Sequence, residues 1–459
     1  MMRHLTTLSL AILLPLFAAS AMRAQAPAAR NKPLTLQEAV AVALEKNPTV
    51  QAADAYADAV KQGITVAASG RYPRLDFSEG FARGNNPVYV FGSLLTQRQF
   101  TARNFELGFL NTPTPLDNFR TQFSASMPLW DAGQTSRRVH DARLEAQSAT
   151  RGGERTRQEV IFNVIEAYLN GLLARESVRV AQSSVEATKA DLARAEARQE
   201  QGLAVPSDLL SAQVQLAQAQ EDLLRAQNGV AVADAALNVA MGLAEDAPVA
   251  VEGELGEVMF EAGTLEERQA KALQTRPDFQ QSDIGKQRAA NGVRMARADF
   301  LPKVNLFGAW EEDNQTFLTR GGNNWALGAT LTFNLFDGGA NRARLRESRA
   351  RQRQADALRS QLAAAVRFQV RQAYLNLATA RDRVDVLRGA ASQAEESLRI
   401  IQNRYEAGLS TITDLLRAET ARTAAKKNFL NAVFDYRLGY AALEFATGEL
   451  AAGSQAVTH

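Results

Sequence analysis

Gly202-Leu203-Ala204-Val205-Pro206-Ser207-Asp208-Leu209-Leu210 returns 206 residues later as Gly408-Leu409-Ser410-Thr411-Ile412-Thr413-Asp414-Leu415-Leu416 (408 − 202 = 206). The same interval carries Asp131 to Asp337, Tyr168 to Tyr374 and Gly242 to Gly448. Earlier landmarks follow another: Leu36, Pro48 and Pro73 recur as Leu265, Pro277 and Pro302 (277 − 48 = 229). The interval changes once, between Pro73 and Asp131, so the first copy holds about 23 extra residues there (229 − 206). Two like units, one with a longer loop, belong with repeat and transport architectures more than with single-site enzymes.

On both sides of these glycines the pattern is helical. Ala373, Leu377, Ala380, Val384, Leu387, Ala391, Ala394, Leu398, Ile401 and Tyr405 step by four and three without a break. Leu209, Ala212, Leu216, Ala219, Leu223 and Ala226 continue the same seam after the first turn. A 3.5-residue period predicts a left-handed coiled coil. No proline interrupts 132–200 or 338–406, and roughly 69 residues at about 1.5 Å each make a rod of about 100 Å. The return helices, 206–241 and 412–447, are shorter. Helices opening at Pro48 and Pro277 are expected to stack end to end with them and complete the length.

Strands are expected at about 73–83, 119–130, 302–311 and 325–336. Phe119, Thr121, Phe123, Ala125, Met127 and Leu129 alternate with Arg120, Gln122, Ser124 and Ser126, and Trp325, Leu327, Ala329, Leu331, Phe333 and Leu335 alternate with smaller or polar residues. Leu75, Phe77 and Phe81 repeat the pattern more weakly, with Glu79 interrupting it. Period two over about ten residues with aromatic ends fits a strand of an outer-membrane barrel; a half-buried soluble sheet gives the same pattern. In hydrocarbon, four strands with open edges are untenable, so they must close with strands of other copies. Eight strands fill with side chains, and twelve strands from three copies in a cyclic ring are the smallest assembly expected to conduct. The expected fold is mainly α with a membrane β-barrel: a trimeric, twelve-stranded barrel on an α-helical tunnel.

The amino terminus predicts export. Arg3 precedes an apolar run, Leu5 to Ala19, and the small residues of Ala24-Gln25-Ala26 follow, which is the layout of a signal peptide over 1–26. Pro27 disfavours cleavage directly after Ala26. Absence of cysteine removes disulfides, thiolate metal sites and a lipid-modified amino-terminal cysteine. A net charge of +2 on 459 residues argues against nucleic acid as a partner. The histidines are His4, His140 and His459, too scattered for a metal cluster or a catalytic triad. The expectation is therefore no enzyme, no cofactor and no metal.

Three features together resemble the outer membrane efflux protein (TolC) family: the duplicated plan, the Asp131-Ala-Gly and Asp337-Gly-Gly turns from strand into long helix, and the paired tip motif. The resemblance spans about Leu34 to Gly448, with a first repeat at 34–242, a second at 264–448, and equatorial or tail segments at 243–263 and 449–459. It implies a homotrimeric channel-tunnel in outer membrane lipid. A periplasmic adaptor would contact the tips, and an inner-membrane pump of RND or ABC type would drive the cargo, in a tripartite efflux pump or a type I secretion system. Drugs, metal ions, solvents and polypeptides all suit such a duct. The rival reading is a soluble periplasmic coiled-coil adaptor or scaffold, which has no need of two hairpins at matched positions.

At the tips, Gly202 and Gly408 follow helices ending at Glu200 and Glu406 and are expected to take positive φ. Leu203 and Leu409 then project as exposed apolar knobs that an adaptor can bury. Asp208 and Asp414 either cap the following helices or, with Tyr405, form a periplasmic gate, a role implied by the resemblance. Ser410 stands where the family's gate places an arginine and Arg417 where it places a second acid, so the closed-state links must differ here. Arg342, Arg346, Arg349 and Arg353 share one face of the second long helix, suited to solvent or to anionic headgroups. The loop 84–118, which holds the extra residues, is expected to form a partial lid outside the cell.

Overall fold

Two helices of 67 residues, α5 (Gln134–Glu200) and α9 (Ala340–Glu406), set the length of the molecule in the computed structural model. The structure describes residues 33–317 and 319–458, so the expected signal peptide lies outside the described residues. Each long helix starts where an aspartate closes its first turn. The Asp131 carboxylate accepts from the Thr135 amide at 2.6 Å, and Asp337 accepts from Asn341 at 2.7 Å. Gly133 and Gly339 precede the helices with φ of 77° and 90°.

Shorter helices complete each rod. In the first copy α1 (Leu36–Lys46) leads into α2 (Pro48–Ser69), and α6 (Pro206–Met241) ends against the start of α2. In the second, α7 (Leu265–Thr275), α8 (Pro277–Ala298) and α10 (Ile412–Thr447) repeat the arrangement. The end-to-end junction is tight: a Cβ on Gly242 would lie 2.5 Å from Asn47 Cα, and one on Gly448 would lie 2.8 Å from Arg276 Cα. Asn47 and Arg276 are themselves related by the first interval (276 − 47 = 229). Glycine is required at both places by close approach as well as by φ of 74°. The opening helices were expected from Pro48 and Pro277; α1 and α7, each closed by a capping box, are additional.

Four strands, β1 (Arg74–Gly84), β2 (Leu116–Trp130), β3 (Lys303–Asn314) and β4 (Gly322–Thr332), form one antiparallel sheet in the order β1-β2-β3-β4. The register repeats as strictly as the sequence does. Arg74 pairs with Ser126 and Gly84 with Leu116; Lys303 pairs with Thr332 and Asp313 with Gly322, the same positions after shifts of 229 and 206. The 23 extra residues therefore fall wholly between Gly84 and Leu116. Two expectations need correction there. The fourth strand ends at Thr332, so Phe333 and Leu335 lie beyond it and stay exposed because no strand partners them. The segment expected as a loop is helical, with α3 (Pro87–Thr96), a 3-10 turn (Ala102–Phe105) and α4 (Leu107–Asn111). Asn86 nucleates α3 by accepting from the Val88 and Tyr89 amides, and Pro87 suits its first turn.

One face of the sheet is apolar. Phe77, Phe123, Trp310 and Trp325 stand in a single row across all four strands. The other carries Arg120, Gln122, Ser124, Glu311 and Asp313. Glu79, which interrupts the apolar face, accepts a hydrogen bond from Thr121 opposite it at 2.6 Å. No described helix is long and apolar enough to cross a membrane.

The main core lies midway along the rods, where Ile165, Leu169, Leu237, Leu443 and Leu450 are almost fully buried. The 243–263 segment passes over it, with Val251 bridging Leu34. Tyr168 donates to the Leu34 and Glu252 carbonyls, and its counterpart Tyr374 donates to Gly263, which corresponds to Leu34 (263 − 34 = 229). The tail turns through α11 (Gln455–Thr458), where Gln455 accepts from the Tyr440 hydroxyl at 2.7 Å.

Candidate functional site

Both helix turns at the far end of the rods close by the same backbone hydrogen bonds. The Leu203 amide donates to the Arg198 carbonyl and Gly202 to Gln199; Leu409 donates to Arg404 and Gly408 to Tyr405. This 6→1 and 5→2 pattern needs a left-handed residue, and Gly202 and Gly408 supply it at φ of 73° and 75°. Leu203 and Leu409 project into solvent, the exposure expected from the sequence.

The two acids at equivalent register have different surroundings. Asp414 closes a capping box on α10, accepting from the Thr411 amide and hydroxyl while its own amide donates back to Thr411. Those hydrogen bonds hold its carboxyl below the usual range. Asp208 has no such duty: Val205 stands at the cap without a side-chain oxygen, and only its carbonyl accepts from the Asp208 amide, at 2.9 Å. Instead its charge acts on Tyr405. Burial pushes the Tyr405 phenol above its usual range; Asp208 and Asp191 add to the shift and Arg198 opposes it.

Tyr405 is buried with Ile412 and Leu415 in a small cluster beneath the tips. Arg198, from the last turn of α5, reaches across, donating to the Tyr405 carbonyl at 2.6 Å with its guanidinium 4.9 Å from the ring centre. Deeper in, Asp191 pairs with Arg194 along α5 and Glu419 with Arg422 along α10, and the two pairs lie close enough for their charges to act on each other. Asp191 and Glu419 are buried, and that burial raises both carboxyls, against the pull of Arg194 and Arg422. Glu419 Oε2 and the Nε atoms of Arg194 and Arg422 are buried without a hydrogen-bond partner among the described residues.

Sequence reading singled out Tyr405, Asp208 and Asp414 but missed Arg198 and this buried charge network. A signal existed: charges at 191, 194, 419 and 422 fall on or beside seam positions otherwise filled by small or apolar residues. The arginine face is present as expected; Arg342, Arg346, Arg349 and Arg353 are exposed and make no ion pair among the described residues. No group of three potential metal ligands occurs among them either.

Residues 39–243 and 270–449 match the family model described as outer membrane efflux protein. The chain belongs to this family. The outer membrane efflux protein family is one of channels rather than enzymes, and this member is accordingly an outer membrane protein whose helices extend into the periplasm. Among curated relatives, Protein CyaE of Bordetella pertussis is 27% identical over 92% of this chain and 86% of its own length. The alkaline protease secretion protein AprF of Pseudomonas aeruginosa is 26% identical over 91% and 85%. The crystal structure of the outer membrane protein VceC from Vibrio cholerae superposes with a TM-score of 0.74 at 20% identity, covering 90% of this chain and 96% of that one. The soluble scaffold reading is not favoured by any of these.

Proposed function

We propose that three copies close head to tail into a passive export duct, the outer membrane component of a tripartite efflux pump or a type I secretion system. One observation carries the ring: contacts made inside the chain have counterparts that are left open. Phe162 of α5 stacks on Phe445 of α10 with centroids 5.3 Å apart. Their equivalents, Phe368 of α9 (162 + 206) and Val239 of α6 (445 − 206), stand 65% and 60% exposed. Likewise Leu169 is 1% exposed and Leu375 (169 + 206) is 54% exposed. If α9 of one copy packs on α6 of the next as α5 packs on α10 within the chain, all of these surfaces are buried.

The sheet follows the same rule. Strand β2 joins β3 within the chain, which leaves β4 to join β1 of the neighbour and removes both open edges. Three copies then enclose twelve strands, with the aromatic row facing lipid and the polar face lining the duct. A rod of about 100 Å below such a barrel spans most of a periplasm. The exposed Leu203 and Leu409 are the surfaces for a periplasmic adaptor, through which an inner-membrane pump of RND or ABC type delivers cargo. Tyr405 and Asp208 form the periplasmic gate with Arg198; Asp414 serves it indirectly by fixing the start of α10.

The internal register dictates the one between subunits. Ser124 pairs with Ala309, so Thr330 (124 + 206) should lie opposite Gly80 (309 − 229) of the next subunit. In a chain without native cysteine, Gly80→Cys with Thr330→Cys should oxidise to a covalent ladder that stops at three. A ladder ending elsewhere would refute the trimer. No cross-link, with release of the protein by osmotic shock, would refute the ring and the membrane barrel together.

A further inference from the structure

The 31 residues between Gly84 and Leu116, against eight between Asp313 and Gly322, do more than lengthen a loop. We infer that this segment is a plug that narrows the outer mouth of the duct and so limits what can leave it. The inference rests on the barrel reading above. Its basis is where the segment is fastened. Gln97, buried at the end of α3, donates from Nε2 to the Asp117 carbonyl at 2.9 Å and to Asn118 Oδ1 at 2.8 Å. Asn118 donates in turn to Asp313 at 2.6 Å, as Arg120 does at 2.9 Å. Asn118, Arg120 and Asp313 all belong to the polar face, so α3 is tied to the side that lines the lumen.

Further ties cross the whole sheet. Arg98 donates to the Asn323 carbonyl at 2.6 Å, and Asn324 donates to the Thr96 carbonyl at 3.2 Å. Gly322 is so close to that carbonyl that a Cβ would lie 1.9 Å from it. Tyr89 clamps the near end, its hydroxyl donating to Ala82 and its ring lying on Gly84. Val90 and Leu94 are buried beneath α3, and Phe91, Phe100 and Phe105 stack edge to face. The segment is thus a folded strap over the last rungs of all four strands.

Size decides what it does there. Twelve strands about 4.8 Å apart and tilted about 40° enclose a cylinder roughly 24 Å across, and three helices of about 10 Å diameter set round its axis need roughly 22 Å. Three straps therefore occupy most of the opening, and large or folded cargo requires them to swing aside. Val88 and Leu107, both exposed, are the surfaces left to meet at the axis.

Because Gly84 and Leu116 face each other across the ladder, residues 85–115 can be replaced by an Asn-Gly turn. That variant, assembled as the parent is, should show a several-fold higher single-channel conductance in planar bilayers. A Ser124→Cys reporter below the strap should also react faster with an impermeant maleimide added outside intact cells. Gln97→Ala with Arg98→Ala, which keeps the chain length, should give brief openings to the higher level. Equal conductance and equal labelling in parent and shortened oligomers overturn the plug alone. A parent that forms no channels overturns the barrel beneath it as well.

Discussion

The two long helices differ in what covers them. Helix α5 meets α10 of the same chain along its seam, whereas the equivalent face of α9 is bare. The bare junction is uncharged where the internal one is charged: Asp191, Arg194, Glu419 and Arg422 correspond to Ser397, Ile400, Gln213 and Leu216 after a shift of 206. Buried charge paired imperfectly costs stability and makes a contact conditional; a seam without titratable groups does not respond to pH. On the trimer proposed above, duplication leaves one junction suited to holding subunits together and another suited to being released.

The largest effect that separates them is a charge placed on the bare junction. Phe368→Asp should abolish the heat-modifiable oligomer while leaving the subunit folded, since Phe368 is exposed in the isolated chain. Phe162→Ala should do the reverse, destabilising the subunit by up to about 3 kcal/mol as a half-buried aromatic is lost. Gel mobility with and without heating, together with denaturant unfolding, reads both. Equal effects of the two changes would erase the distinction between the junctions.

Acidity should act on the charged junction only. Burial raises the Asp191 and Glu419 carboxyls in the packed state. Each therefore binds its proton more tightly when packed than when separated. The stabilisation from protonation is complete below the ordinary carboxylate range, about 4, and is lost as pH rises through the raised values. Acidification from neutral pH should tighten the α5–α10 contact and make openings rarer, several-fold in planar bilayers. Asp191→Asn with Glu419→Gln should flatten that profile. A profile that persists in the double variant assigns the pH response to other groups.

At the tips the comparison narrows to two aspartates. Asp208→Ala with Tyr405→Phe should raise conductance and weaken block by cations, because Asp208 caps nothing and its carboxylate lies free near Tyr405. Asp414→Ala should instead fray the first turn of α10, seen as faster amide exchange at Leu415, with a smaller change in conductance. Unchanged conductance and block in the Asp208 variant would remove it from the gate.

Much of this was legible because the repeat is strict. Two intervals located the insertion and both tip glycines, since turns of fixed geometry require Gly202 and Gly408 whatever surrounds them. Period-3.5 seams gave the long helices within about two residues. What was not legible depends on partners distant in sequence. The strap at 85–115 has no long hydrophobic period, and its fold is fixed by Asn118, Asp313 and Asn323. Arg198 gave no sign of its role because its target, Tyr405, lies on the other copy. The end of β4 was overrun for a similar reason: Phe333 and Leu335 continue the alternation but have no strand opposite them.

The smallest difference between the copies lies at the turn into the long helix. Ala132 holds φ of 57°, whereas its counterpart Gly338 holds 64° without a side chain. A left-handed conformation costs an L-residue about 1–2 kcal/mol, so the first copy carries strain that the second lacks. Ala132→Gly should relieve it, but glycine loses more entropy on folding, by about 0.5–1 kcal/mol, and the buried Ala132 methyl is forfeited. The net gain should stay below about 1 kcal/mol. Gly338→Ala should incur about 1–2 kcal/mol of backbone strain, offset by about 0.5–1 kcal/mol of entropy, and adds no clash, because nothing lies within 4 Å of an added Cβ. Denaturant midpoints of the two variants should therefore move in opposite directions, the second further than the first. A shift in the same direction for both would mean that the two turns are not held alike, although the Asp131 and Asp337 carboxylates cap them with nearly the same hydrogen bond.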